Sequence, residues 1–140
     1  MATSTFTKFN CFVEDLAEKV HNLGSDQLVV ALCASANAPT TSNTVLANLT
    51  QIAYTNLSSR NITTTSSSQT SGAYKLVLAD LTLSASGGSV APFRYVVIYN
   101  DTSTSDSLIG FADYGSDQTL GTGESMLIDF DGSAGAIAIS

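Results

Sequence analysis

Reactive and charged side chains are scarce in this chain. Its 140 residues include one histidine, two cysteines, no tryptophan and five Lys plus Arg, and charged residues make up 12%, against about 25% in an average globular domain. Each shortage excludes something. Cys11 and Cys33 are too few for a disulfide framework or a cysteine-rich zinc site. Both stand in apolar surroundings and read as buried free thiols acting as small hydrophobes. His21 is the only imidazole, and no G-x-S-x-G elbow accompanies it, so a Ser-His-Asp triad has no foundation. Lys8, Lys19, Arg60, Lys75 and Arg94 are dispersed along a chain of net charge −7 and pI near 4.2. That balance opposes binding to nucleic acid or to an anionic membrane, both of which need clustered cations. No apolar run approaches the roughly 18–20 residues of a membrane-crossing helix. The first residues lack a basic stretch followed by an apolar one, so no secretory signal is expected and the product reads as soluble, made in a cytosol-like compartment.

What the chain has is apolar mass and hydroxyl groups. Hydrophobic residues make up 44%, mean hydropathy is +0.20, and 37 residues are Ser or Thr. A chain of low charge and ample apolar area folds rather than staying disordered. Its length fits one domain with one core, here taken as 1–140 with a flexible N-terminal arm at 1–7.

Periodicity divides the chain. Phe9, Phe12, Val13, Leu16, Val20 and Leu23 recur at spacings of three and four, which predicts an amphipathic helix over 11–23, with Asn10 as N-cap and Gly24 as stop. His21 then falls near the helix end, as a surface group. Leu28 to Cys33 is short and β-branched, a buried strand. A second short helix is predicted over 45–53, behind Ser42 and Asn43 as caps. The Ser/Thr-rich stretch 55–72 reads equally as a Ser/Thr-rich linker or, being β-prone, as an exposed or edge strand followed by a turn, and no domain boundary is placed there. Strand patterns then succeed one another at 74–79, 81–85, 93–100, 108–114, 125–130 and 135–140. Turns fall at Ser86-Gly-Gly-Ser89, at 101–107 and at Asp131-Gly132, the last read as a hairpin turn. About eight strands with long early connections predict a mainly β protein, a jelly-roll-like antiparallel β-sandwich.

Carboxylates are the one chemical resource in supply. Asp129-Phe-Asp131-Gly132 has a D-x-D-G look, but the ligand run of a calcium loop does not follow it. Paired acids could serve glycoside hydrolysis, yet the aromatic platforms usual at such sites are missing. The glycine-rich pieces lack the Lys-Ser/Thr of a phosphate loop. Four Asn-X-Ser/Thr sequons begin at Asn48, Asn56, Asn61 and Asn100, as chance provides in a chain so rich in these residues. No catalytic, cofactor-binding or metal-binding residue is assigned. Phe6 differs from the other aromatics in lying in a polar arm, where it could anchor the terminus to another subunit.

Three segments carry a resemblance: Lys8-Phe-Asn-Cys-Phe-Val-Glu-Asp-Leu-Ala-Glu-Lys-Val-His-Asn-Leu-Gly24, Tyr74-Lys-Leu-Val-Leu-Ala-Asp80 and Pro92-Phe-Arg-Tyr-Val-Val-Ile-Tyr-Asn-Asp101. Read together, the chain resembles the small head-decoration, or cement, proteins of tailed bacteriophages, podoviral ones of the Bordetella-phage type in particular. The resemblance implies a virion structural protein without enzyme activity or cofactor. It would be made in the host cytoplasm and bind the outside of an icosahedral capsid as a homodimer, bridging major capsid proteins. Phe6, Lys8 and Phe9, with Pro92 and Phe93 at a strand entry, are the candidate interface residues because they join apolar groups to turn and terminal backbone. The alternatives are a phage tail or receptor-binding module and a small glycan-active enzyme.

Overall fold

In the computed structural model, residues 6–140 are described. They form ten strands and one α-helix: β1 (Phe6–Lys8), α1 (Cys11–Ala17), β2 (Leu28–Cys33), β3 (Asn61–Ile62), β4 (Thr64–Thr70), β5 (Ala73–Leu78), β6 (Leu81–Ser84), β7 (Val90–Asn100), β8 (Leu108–Leu120), β9 (Ser125–Ile128) and β10 (Ile137–Ile139). All pairings are antiparallel, in sheets ordered β1-β8-β7-β2-β3, β10-β5-β4 and β6-β9. The protein is mainly β and sandwich-like, as the strand patterns predict.

Why β2 is apolar at every position becomes clear from the packing. Leu28, Val30 and Leu32 point into the main core with Leu76, Leu83, Phe93, Val96 and Ile98. Val29, Ala31 and Cys33 point the other way, into a second core with Phe9, Tyr95, Val97, Tyr99 and Leu108. A strand buried on both faces needs no polar alternation. Leu46 and Leu49, from the long connection after β2, help cover that second face.

The expected helix over 11–23 stops at Ala17. Val20 N–H donates to Asp15 O at 2.8 Å and Lys19 N–H to Leu16 O at 3.4 Å, with Lys19 at φ 71°. This is the Schellman pattern with lysine at the position glycine usually fills. Ending there turns the chain so that His21 and Leu23 are buried instead of continuing along a helix. Asn10 occupies the N-cap position but makes no side-chain cap bond.

The second helix is likewise reduced, to one 3-10 turn at Leu46–Asn48. Tertiary pairing competes with it. Val45 bridges Ser107, Leu46 N–H donates to Asp106 O, and Ile52 N–H donates to Leu32 O, which draws out the backbone on either side.

The hydroxyl-rich stretch is an exposed edge strand, β4, joined to β5 by Ser71 and Gly72 at φ 51° and 85°. Two consecutive positive φ values make the tight turn whose twist matches a hairpin. Asp131-Gly132 is a turn but not a hairpin: β9 pairs with β6 and β10 with β5, so the turn carries the chain between sheets. Asp131 Oδ1 accepts from Ser133 N–H and Ala134 N–H, both at 2.8 Å.

Of the arm expected at 1–7, residues 1–5 lie outside the described residues. Phe6 and Thr7 belong to β1, opposite Ala112 and Phe111.

Candidate functional site

The five candidate interface residues separate. Phe6 is 39% exposed and Lys8 and Pro92 are exposed, while Phe9 and Phe93 are fully buried. Phe9 packs on Phe111 with ring centroids 5.1 Å apart, and its N–H donates to Ile109 O at 3.0 Å. Phe93 fills the main core. Neither ring can reach a partner without opening a core. Pro92 is also remote from Phe6, because β1 and β7 flank β8 on opposite sides and Phe6 faces Ala112 whereas Phe93 faces Gln118. The Ser86-Gly-Gly-Ser89 turn before it is clasped by Asn56, whose side-chain Nδ2 donates to Ser89 O at 3.2 Å and whose backbone carbonyl accepts from Ser86 N–H at 3.0 Å.

Around Phe6 the surface is apolar. The described N-terminal strand β1 and the strand β10 are each the last strand of their sheet, and they lie on either side of a groove of about 480 Å³. Phe12, Leu16 and Ile109 line it, and Phe6, Val13 and Ile139, respectively 39%, 53% and 44% exposed, lie along its rim. Beyond Phe6 a second hollow continues past Ala112, Tyr114, Phe130 and Ala136 to the carboxylates of Asp129 and Asp131. Phe6 and Ala136 belong to both hollows.

The other feature of note is a buried polar cluster invisible in the pattern of residues. His21 is 5% exposed and Asn100 fully buried. Asn100 Oδ1 accepts from the backbone N–H of Thr102 and Ser103 at 2.9 and 3.2 Å, which fixes the orientation of the amide. Its Nδ2 therefore donates, to His21 Nδ1 at 3.0 Å and to Asp26 Oδ2 at 2.6 Å. Burial holds the imidazole below its ordinary pKa, against the pull of Asp15 and Asp26. A neutral ring accepting at Nδ1 carries its proton on Nε2, which lies 4.0 Å from Asp15 Oδ2 and has no hydrogen-bond partner among the described residues. The Ser103 hydroxyl, in the same turn, donates to Asn100 O at 2.8 Å and so is engaged with the backbone. The cluster ties the turn after β7 to the loop after α1. The helical stripe placed His21 on a surface, and only the early stop of α1 brings it inside.

Other polar groups are spread out. Arg94 makes a two-pronged contact with Asp113, Nε to Oδ1 at 2.7 Å and Nη2 to Oδ2 at 3.1 Å, which holds that exposed carboxyl below the usual range. Burial pushes the Cys33 thiol up to about 11. Cys11 is half-buried rather than buried, its thiol also raised, chiefly by burial and then by Asp15. Among the sequons, Asn100 is sealed in the core. No group of three or more His, Cys, Asp or Glu able to hold a metal ion occurs among the described residues.

Comparison with known protein families, with curated proteins and with solved structures finds no match for this chain.

Proposed function

We propose that this chain is a virion structural protein of the head-decoration type, binding the outer surface of an icosahedral phage capsid and stabilising the mature shell by bridging major capsid proteins. The observation that carries the reading is the exposed apolar rim of Phe6, Val13 and Ile139 around the groove between β1 and β10. An apolar surface at the open side of a sandwich is suited to burial against another protein. The three segments that resemble cement proteins span α1, β5 and β7, the elements on which that groove and its supporting cores rest. The jelly-roll path and a homodimer seated across local two-fold axes belong to this proposal.

A decoration protein stabilises a shell only by binding the mature arrangement more tightly than the immature one. Many copies then multiply a modest contact energy. The acidic, hydroxyl-rich exterior suits dense display on a particle, since it discourages association between neighbours.

The test is addition of purified protein to capsids that lack it. Co-sedimentation with heads and a raised resistance to heat are the expected results. Failure to sediment with heads, or binding without any gain in resistance, rejects the cement role.

A further inference from the structure

We infer that the groove between β1 and β10 takes an extended, basic segment of a partner protein, which adds as a strand to the edge of β10 that has no neighbour among the described residues. This rests on the reading of the chain as a shell-binding protein and names the kind of segment it would grip.

Ala136, Ile137, Ala138 and Ile139 all line the groove. Successive side chains of a strand point to opposite faces, so lining by all three residues of β10 means that the edge of its backbone faces the groove. On its other side β10 pairs with β5 through Ile137↔Leu76 to Ile139↔Tyr74. Its outer N–H and C=O groups are thus presented beside an apolar floor, the arrangement used by proteins that bind peptides through strand addition. Alternate apolar side chains of the incoming segment would meet Phe12, Leu16 and Ile109.

Charge selects the occupant. The continuation of the groove past Phe6 ends at Asp129 and Asp131, and the molecule as a whole carries −7, against Lys8 in the first hollow and Lys75 near Asp131. At this groove a segment bearing lysine or arginine is favoured over a second, equally acidic copy of the chain, whose dimer contact would lie elsewhere.

The experiment uses the full chain and an acetylated decapeptide alternating valine with lysine and threonine, compared with the same peptide carrying glutamate for lysine. Saturable binding of the basic peptide, with amide shifts in residues 136–139, is expected. The acidic peptide should bind more weakly, and Asp129→Asn with Asp131→Asn should weaken the basic one about five-fold. Asparagine keeps the Oδ1 acceptor of the Asp131 turn, and thermal unfolding confirms that the variant is folded. No saturable binding, or equal binding of both peptides, overturns the inference. So does a gain in affinity on deleting residues 1–5, which would make the chain's own N-terminus the occupant, or a dimer that Ile139→Ser dissolves. Capsid binding without peptide binding rejects this groove alone and leaves the shell-binding reading intact. Peptide binding without capsid binding rejects that reading, and with it the shell as the source of the segment.

Discussion

Asn100 donates from its buried side-chain amide to His21 Nδ1 at 3.0 Å, linking the end of β7 to a loop 79 residues earlier in the chain. The bond requires a neutral ring, and burial lowers the ring's pKa relative to the unfolded chain even though Asp15 and Asp26 face it. With the folded value below the unfolded one, the unfolded chain takes up the proton first as pH falls. The stability that depends on neutral His21 is therefore complete above about pH 6.5 and is lost progressively below it. Urea denaturation at pH 7.5 and at pH 5.5 should show the loss, and His21→Gln should reduce this slope while costing about 1–3 kcal/mol at the higher pH.

Asn100→Asp tests the same cluster from the other side. A carboxylate would face Asp26 Oδ2, now 2.6 Å from the amide, and would offer no hydrogen to Nδ1. The variant should be destabilised by about 3 kcal/mol or more at pH 7. Acidification that protonates one carboxyl should return part of that, the reverse of the wild-type trend. Parallel denaturation curves of the two proteins across pH would decide it.

Gly110 holds the position of β1. A Cβ there would lie 2.3 Å from the Phe6 ring and 2.9 Å from Thr7 O. Gly110→Ala should lift β1 from β8 and release Phe6, at a cost of about 1–3 kcal/mol. Faster amide exchange at residues 6–8, with β2 and β7 still protected, is the expected signature. Unchanged exchange at 6–8 would show that the strand does not depend on this close approach.

Ser71 adopts φ 51° beside Gly72 at φ 85°. Asparagine tolerates that region better than serine, so Ser71→Asn should stabilise the protein by about 0.5 kcal/mol. A rise in midpoint without a change in slope during urea unfolding would bear this out.

The two thiols should react unequally. Cys33 is fully buried with its pKa pushed up to about 11, whereas Cys11 is half-buried at the surface end of α1. At pH 8 a thiol reagent should modify Cys11 slowly and Cys33 only after unfolding, giving one equivalent and then two. Equal rates in the folded protein would contradict the burial of Cys33.

Much of the strand order was legible from residue pattern. The apolar runs from Leu28 to Cys33 and from Tyr95 to Tyr99 and the β-prone hydroxyl stretch each record a constraint local to a few residues: two buried faces in the first two and an exposed edge in the third. The helix boundaries were not legible. The apolar stripe from Phe9 to Leu23 fits a helix throughout, and the stop at Ala17 comes from the burial of His21 against Phe12 and Asn100. The same competition reduced 45–53 to one turn.

Composition and order alone determined that the chain folds as a mainly β domain with few reactive groups and an acidic, hydroxyl-rich exterior, because these follow from summed propensities and charge. Tertiary structure decided which aromatics remain outside. Phe6, Phe9 and Phe93 are the same residue type, yet only Phe6 keeps an exposed face, since it stands on an edge strand over Gly110 while the other two are enclosed by two separate cores. Exposure is a property of what the rest of the chain packs against a residue, and the residues that cover Phe9 and Phe93 arrive from far along the sequence.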